Sequence, residues 1–221
     1  PFPIVALVGY TNAGKSTLFN RMTGAEVMAK DMLFATLDPT MRKVELATGD
    51  EVILSDTVGF ISDLPTELVA AFRATLEEVT DADLVLHVRD ISHPQSDEQA
   101  ADVEAILTSL GVANETPMIE VWNKADQLPP EEREAMEVQA GRRDDVCLIS
   151  ALAGDGVADL VTEIASLLRP KTVTETLILP HEAGRARAWL YEQGVIEEEN
   201  PGDTGTEIRV TWSALQKERF A

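Results

Sequence analysis

The sequence predicts an α/β fold with a mostly parallel six-stranded sheet, one antiparallel edge strand and a small α+β C-terminal domain. Strand and helix signals alternate from residue 4 to about 168, the pattern of parallel strands connected by helices. Thr48-Gly49-Asp50 forms a short turn between two strand-like segments, which predicts one antiparallel pair. Beyond Pro170 the alternation restarts, so we expect two domains, 1–169 and 170–221.

The elements of the larger domain follow from apolar periodicity and from the positions of glycine and proline. We expect strands at 4–8, 41–47, 51–55, 83–89, 117–122 and 145–149. Helices are expected from 17, at 64–79, at 97–110, from 130 and at 157–168. Residues 24–40 show little periodicity and are expected to form a loop.

The smaller domain is expected to contain a strand at 173–179, a helix at 181–193 and two further strands. Gly194 stops the helix, and the two strands flank a turn at 200–205. On the last strand Ile208, Val210 and Trp212 alternate with polar residues. That period of two predicts a strand with one buried and one solvated face.

The formal net charge of -21 is unevenly distributed. Residues 1–50 carry five basic and five acidic side chains, whereas residues 51–169 carry seven basic and 25 acidic ones. Proteins that adhere to nucleic acid regardless of its sequence need Lys and Arg to neutralise phosphates. The acidic residues of 51–169 therefore argue against a protein of that class, and we interpret them as a solvated surface.

The composition favours an intracellular protein. No apolar run approaches the roughly 18 residues of a membrane span, and Pro1-Phe2-Pro3 carries no signal segment. Cys147 is the single cysteine and is expected in the core, without chemistry. We expect a cytoplasmic monomer with no membrane span, either free or peripheral to a membrane.

A phosphate-binding loop follows the first strand. Its pattern Gly-x-x-x-x-Gly-Lys-Ser/Thr is matched by Gly9, Tyr10, Thr11, Asn12, Ala13, Gly14, Lys15 and Ser16, and we add Thr17 to the predicted nucleotide contacts. The glycines let backbone N–H groups converge on one anion, Lys15 reaches the β and γ phosphates, and Ser16 supplies a hydroxyl to Mg²⁺. A glycine-rich turn with a surface lysine is the alternative, but the flanking strand and helix provide the context that the motif requires.

Two further segments are expected near the γ-phosphate. Asp56-Thr57-Val58-Gly59 ends a hydrophobic strand, where Asp56 can hold Mg²⁺ and Gly59 can donate its N–H to the phosphate. Thr36, in the predicted loop, is our choice for a second hydroxyl on Mg²⁺, with Thr40 as the rival. We therefore expect Lys15, Thr36 and Gly59 as catalytic residues and Ser16, Thr36 and Asp56 as metal ligands.

The base is predicted to be guanine. Asn123-Lys124-Ala125-Asp126 follows a strand, and the carboxylate of Asp126 can accept N1–H and the 2-amino group of guanine, neither of which adenine offers. Ser150-Ala151-Leu152 follows the next strand and would place a backbone N–H near the guanine O6. We count Asn123, Lys124, Asp126, Ser150, Ala151 and Leu152 as base contacts, which makes GTP and GDP the expected ligands.

Together these motifs predict a P-loop NTPase of Ras-like topology, and the set resembles the HflX family of ribosome-associated GTPases. The resemblance rests on GYTNAGKSTLFN at 9–20, FATLDPT at 34–40, DTVGFISDLP at 56–65, AFRATLEEV at 71–79 and NKAD at 123–126. It spans residues 4 to about 168. The tail from 171 is similar to the small C-terminal domain of some members.

The resemblance implies GTP hydrolysis coupled to binding of the large ribosomal subunit, with a role on stalled ribosomes. Family members carry an N-terminal domain before the GTPase, so we expect this chain to be a fragment, although a protein that naturally starts at Pro1 is an alternative. Asn12 is similar to an asparagine that helps potassium-dependent relatives hold K⁺. The expected cofactors are therefore Mg²⁺ and, on this resemblance, K⁺.

Phe60, the residue after Gly59, leaves open how fast the site hydrolyses GTP. Regulated GTPases often place a water-orienting glutamine after the glycine of Asp-x-x-Gly, and a phenylalanine cannot polarise water. We expect an intrinsically slow GTPase in which Phe60 acts as a hydrophobic gate or simply anchors the second switch. The alternatives are a nucleotide-binding module with negligible hydrolysis, another translation or ribosome-assembly GTPase, and the G domain of a membrane transporter.

Overall fold

The computed structural model describes residues 2–24, 40–46, 49–57, 59–60, 79–112, 116–169 and 172–220. Contacts between Cα atoms divide the chain into two compact units, Pro1–Leu168 and Arg169–Ala221. Among the described residues, no helix has the length and apolar character that crossing a membrane would require.

The first unit is built on a six-stranded sheet. Its strands are β1 (Ile4–Gly9), β2 (Thr40–Glu45), β3 (Glu51–Asp56), β4 (Leu84–Asp90), β5 (Met118–Asn123) and β6 (Val146–Leu148), in the spatial order β2-β3-β1-β4-β5-β6. Among the described strands of this sheet, only the edge strand β2 runs antiparallel to its neighbour, β3. The predicted sheet with one antiparallel edge strand is therefore confirmed.

Four helices of this unit are described: α1 (Lys15–Thr23), α2 (Ser96–Ser109), α3 (Pro130–Ala140) and α4 (Val157–Leu168), with a short 3-10 turn at Ala125–Gln127. Proline at the first position of α3 costs no hydrogen bond, because the first N–H of a helix has no partner within it. After α2, Gly111 takes a left-handed φ of 76°, which ends the helix as predicted. The helix predicted at 64–79 lies outside the described residues except for its end.

Strand β1 is the centre of the core. Val5 and Leu7 point into one hydrophobic cluster, whereas Ala6 and Val8 point into another on the opposite face of the sheet. This division follows from the period of two in a strand, and all four side chains are fully buried. The carboxyl end of β1, from which the phosphate-binding loop departs, is thus held by packing on both faces.

The second unit is a three-stranded antiparallel sheet with two helices. Its elements are β7 (Thr172–Leu179), α5 (Gly184–Glu192), β8 (Ile196–Pro201), β9 (Thr206–Ser213) and α6 (Ala214–Phe220), and the strand order is β7-β9-β8. The predicted burial of Ile208, Val210 and Trp212 is confirmed. Helix α6 was not predicted. The ring centroid of Phe220, at its end, lies 5.6 Å from that of Trp189 and 5.3 Å from that of Trp212.

Candidate nucleotide-binding site

The phosphate-binding loop connects β1 to α1 and depends on two glycines. A Cβ on Gly9 would lie 2.2 Å from the Val88 carbonyl oxygen, and one on Gly14 would lie 2.2 Å from Nδ2 of Asn123. Gly14 also has a φ of 99°, which side chains disfavour, and Asn12 takes a left-handed φ of 61°. The loop therefore has the tight curvature that its motif predicts.

Lys15 lies inside this curve. Its Nζ donates to the carbonyl oxygens of Tyr10 at 3.1 Å and Gly9 at 3.3 Å, and the residue is only 7% exposed. Burial lowers the pKa of Lys15 to about 8, while the negative charge of Asp56 acts in the opposite direction. Among the described residues this ammonium donates hydrogen bonds to two neutral carbonyls, and the charge of a phosphate at this position would offset the cost of burial.

Ser16 and Asp56 form the second part of the site. Ser16 Oγ donates to Oδ2 of Asp56 at 2.7 Å, which joins the start of α1 to the end of β3. Hydroxyl and carboxylate oxygens suit Mg²⁺, which proteins usually hold by one or two side chains together with phosphate oxygens and water. The described residues contain no group of three His, Cys, Asp or Glu that could hold a metal ion.

Gly59 approaches the loop closely. A Cβ at this position would lie 3.0 Å from the Cα of Thr11 and 3.2 Å from Nζ of Lys15. Its predicted neighbour Thr36 lies outside the described residues. The rival Thr40 is the first residue of β2 and pairs with Asp56 in the antiparallel ladder.

Asn123 ties the base motif to the phosphate loop. Its Nδ2 donates to the Ala13 carbonyl at 2.8 Å, and its Oδ1 accepts the N–H of Ala151 at 2.9 Å. The residue is 2% exposed at the end of β5. One buried amide therefore joins the phosphate loop to the loop that follows β6.

The carboxylate of Asp126 is fixed by a neighbour in the same region. Ser150 Oγ donates to Asp126 Oδ1 at 2.6 Å, which brings together two residues that the sequence assigned to the base. Lys124 has a φ of 68°, and its Nζ forms a 2.7 Å ion pair with Oδ2 of Asp90. Although burial opposes the change, hydrogen bonds from Lys124 and Ser92 lower the pKa of Asp90, so its charge is retained beside the base motif.

Leu152, Thr17 and Tyr10 complete the predicted nucleotide contacts. The side chain of Leu152 is 71% exposed. Thr17 lies in the first turn of α1. Tyr10 forms an isolated parallel bridge with Phe60.

Phe60 is part of the core. It is 3% exposed and packs in the cluster that contains Ala6, Val8 and Val85. Its carbonyl accepts the Thr11 N–H at 2.7 Å, and its own N–H donates to Gly9 O at 3.0 Å. This arrangement favours the anchoring interpretation over the hydrophobic gate, because the ring is used in packing.

Sequence reasoning missed two residues that organise the site. Asp90 is the last residue of β4 and has no recognisable motif around it. Arg21, in the last turn of α1, donates from Nε to Ala151 O at 2.5 Å and from Nη2 to Leu152 O. Motif spacing could not predict the role of Arg21, because its hydrogen bonds span 130 residues or more.

Comparison with known proteins shows which family the chain is similar to. A family model described as 50S ribosome-binding GTPase matches residues 4–124, and one described as HflX C-terminal domain matches residues 135–219. The GTPase HflX of Caldanaerobacter subterraneus is 46% identical over 218 residues, which cover 99% of this chain and 49% of that protein. The GTPase HflX of Escherichia coli is 42% identical over 225 residues, which cover 99% and 52%.

A solved structure agrees with the fold. The chain is similar to a GTP-binding protein from the archaeon Sulfolobus solfataricus, in complex with GDP, with a TM-score of 0.59 and 28% identity over 75% of this chain and 52% of the other. The chain spans about half the length of the curated relatives that it matches. Because the two family models together match most of the sequence, the first of them more than half, this chain belongs to the HflX family of GTPases.

Proposed function

We propose that this chain binds GTP and GDP with Mg²⁺ and hydrolyses GTP. The single observation that carries the proposal is the 2.7 Å contact between Ser16 and Asp56 beside the buried ammonium of Lys15. This contact supports the proposal because two oxygens that suit Mg²⁺ lie together next to a cation that suits a phosphate. Mg²⁺ would neutralise phosphate charge there, with Ser16 and Asp56, together with Thr36, as its protein ligands.

The base is guanine in this proposal. Asp126 keeps one carboxylate oxygen, Oδ1, bonded to the Ser150 hydroxyl, which orients the group without neutralising it. A carboxylate matches the two donors of guanine, and a charged hydrogen bond contributes about 1.5–3 kcal/mol. Adenine would leave the carboxylate without its donors, so ATP should bind much more weakly.

Hydrolysis is proposed to be slow and to act as a switch. Contacts of Gly59 and Thr36 with the γ-phosphate would order their segments, and hydrolysis would release them. The side chain that follows Gly59 is the buried Phe60, which cannot orient water. In comparable GTPases a partner that completes the site accelerates hydrolysis by about 10⁵-fold.

The partner proposed for this acceleration is the large ribosomal subunit. The supporting observations are the family description, 50S ribosome-binding GTPase, and the HflX relatives. Such a role would place the whole protein in the cytoplasm and on stalled ribosomes. We propose the first unit as the GTP-binding domain and the second as a separate small domain of a monomer.

K⁺ is proposed as a second cation. Asn12 lies in the phosphate loop with a left-handed backbone, so its side chain is in the segment that would surround the phosphates. Hydrolysis rates in KCl and NaCl at equal ionic strength test this point. Equal rates would count against a potassium site.

The test of the main proposal is single-turnover hydrolysis of GTP and of ATP, with Mg²⁺ and with EDTA. We expect slow, Mg²⁺-dependent release of phosphate from GTP only, and Lys15→Ala should abolish it by removing the buried cation. Binding of GTP without measurable hydrolysis, with or without large ribosomal subunits, would favour the alternative of a nucleotide-binding module. Hydrolysis of ATP at the same rate would contradict the assignment.

A further inference from the structure

Arg21 connects the helix that follows the phosphate loop to the loop that follows β6. It lies in the last turn of α1, six residues after Lys15, so one helix carries both the phosphate-binding lysine and this arginine. Its guanidinium donates to two successive carbonyl oxygens, those of Ala151 and Leu152. Two donors on adjacent peptides fix the orientation of a short loop better than one donor could.

The bond to Ala151 O also determines where the next N–H points. The Ala151 carbonyl and the Leu152 N–H belong to one peptide, which is trans, so the two groups point in opposite directions. With Arg21 Nε on the oxygen at 2.5 Å, the N–H is directed away from the arginine. A cation on the carbonyl also polarises the peptide and strengthens its N–H as a donor.

The other donors of this loop are already used within the protein. Ser150 N–H donates to Asp155 O, Ala151 N–H to Asn123 Oδ1, and Ala153 N–H to Ser150 Oγ. Within the described part of the chain, Leu152 N–H is the donor of residues 150–154 that has no acceptor. It is therefore available to a ligand.

The loop leaves room for the guanidinium. A Cβ on Gly154 would lie 2.8 Å from Arg21 Nη1, and Gly154 has a φ of 98°. A side chain at this position would both strain the backbone and press on the arginine. Glycine here allows the guanidinium to lie directly against the loop.

We propose that Arg21 is a positioning residue for base selection, which holds the Ala151–Leu152 peptide so that its N–H meets the O6 of guanine. Adenine presents an amino group at the equivalent position, so the same N–H would face a donor instead of an acceptor. This inference rests on the proposed binding of guanine nucleotides. It adds to the role of Asp126, because the N–H would read the O6 acceptor while the carboxylate accepts the neighbouring N1–H and 2-amino donors of the same edge of the base.

The test compares GDP, IDP and ADP on the wild type and on Arg21→Ala, by competition against a fluorescent guanine nucleotide. IDP keeps the O6 of guanine but lacks the 2-amino group that Asp126 would bind. We expect Arg21→Ala to weaken GDP and IDP equally, by about ten-fold, which corresponds to about 1.4 kcal/mol. ADP affinity should not change, so the GDP/ADP ratio falls by the same factor.

Two variants complete the experiment. Lysine has a single ammonium nitrogen in place of the forked guanidinium, so Arg21→Lys should recover only part of the GDP affinity that Arg21→Ala loses. Arg187→Ala removes an exposed arginine of the second unit and should leave all three affinities unchanged. Equal weakening of GDP and ADP by Arg21→Ala would show that the residue acts through the phosphate loop and would overturn the proposal, as would no change at all. A wild type that binds ADP as tightly as GDP would instead refute the proposed function.

Discussion

The Asn123 side-chain amide donates to the Ala13 carbonyl at 2.8 Å, across 110 residues of sequence. The same side chain accepts the N–H of Ala151, so it satisfies two backbone groups that the fold buries. Asn123→Ala should therefore lower the free energy of unfolding by about 2 kcal/mol, since an unsatisfied buried group costs about 1–3 kcal/mol. Urea unfolding measures this, with the exposed Asn200→Ala as control. Equal stability of both variants would contradict the bracing role.

Ser16→Ala should remove the dependence of nucleotide binding on Mg²⁺. In the wild type, Mg²⁺ should strengthen binding of GDP, because Ser16 and Asp56 offer the ion two oxygens 2.7 Å apart. Without the hydroxyl, affinities measured in MgCl₂ and in EDTA should be nearly equal. Ser213→Ala, in the second unit, is the matched control and should behave as the wild type. A variant at position 16 that retains the full Mg²⁺ effect would argue against this metal site.

Glu120 should make the first unit sensitive to acid. Burial acts to raise its pKa, but hydrogen bonds from Trp122, Arg89 and Arg143 lower it to about 2 from 4.5. A carboxyl whose folded pKa is depressed stabilises the protein above its unfolded pKa, and this contribution is lost as the pH falls from about 4.5 towards 2.

The variant Glu120→Gln tests this contribution. We expect a deficit of about 2 kcal/mol in the free energy of unfolding at pH 7, after allowance for solvent screening at the half-exposed Arg143. At pH 3.5 the deficit should be smaller, because the wild type has by then lost part of the same contribution. Glu131→Gln, on the surface of α3, is the control. A deficit that does not change with pH would refute the ion-pair explanation.

Phe220→Ala should destabilise the second unit alone. The ring packs against Trp189 and Trp212 and is the aromatic anchor of α6, so its removal should cost about 2–3 kcal/mol. In a Trp122→Phe background, which removes the tryptophan of the first unit, unfolding monitored by tryptophan fluorescence reports on the second unit through those two indoles. GDP affinity should not change. Loss of GDP binding together with stability would show that the two units do not behave independently.

The sequence alone was sufficient to predict the sheet, which the structure confirms, and to select most residues of the candidate site, because the signals are local. A glycine at 9, a lysine at 15 and a carboxylate at 56 follow strands whose apolar patterns can be recognised, and parallel strands bring their carboxyl ends to one edge. The chemistry of each motif then gives its role. These predictions needed no knowledge of which side chains touch.

The residues that escaped prediction act through partners distant in sequence. Arg21 has the sequence context of an ordinary exposed helical arginine, and its role depends on the loop after β6 that lies against it. Asp90 owes its role in part to the ion pair with Lys124, which is 34 residues away. Helix α6 has only seven residues, so its periodicity carries little signal, and its contacts include the packing of Phe220 against Trp212 and the ion pair of Lys217 with Glu175. Such features arise from packing, which sequence patterns do not encode.

Titration calorimetry of GDP, ADP and XDP against the wild type and Asp126→Asn tests the central claim most directly. The wild type should bind GDP far more tightly than ADP or XDP. Asp126→Asn should weaken GDP and improve XDP, because an amide matches the oxygen that xanthine carries in place of the 2-amino group. Equal affinity of the wild type for GDP and ADP, or an Asp126→Asn variant with unchanged preference, would contradict a guanine-nucleotide site in this chain.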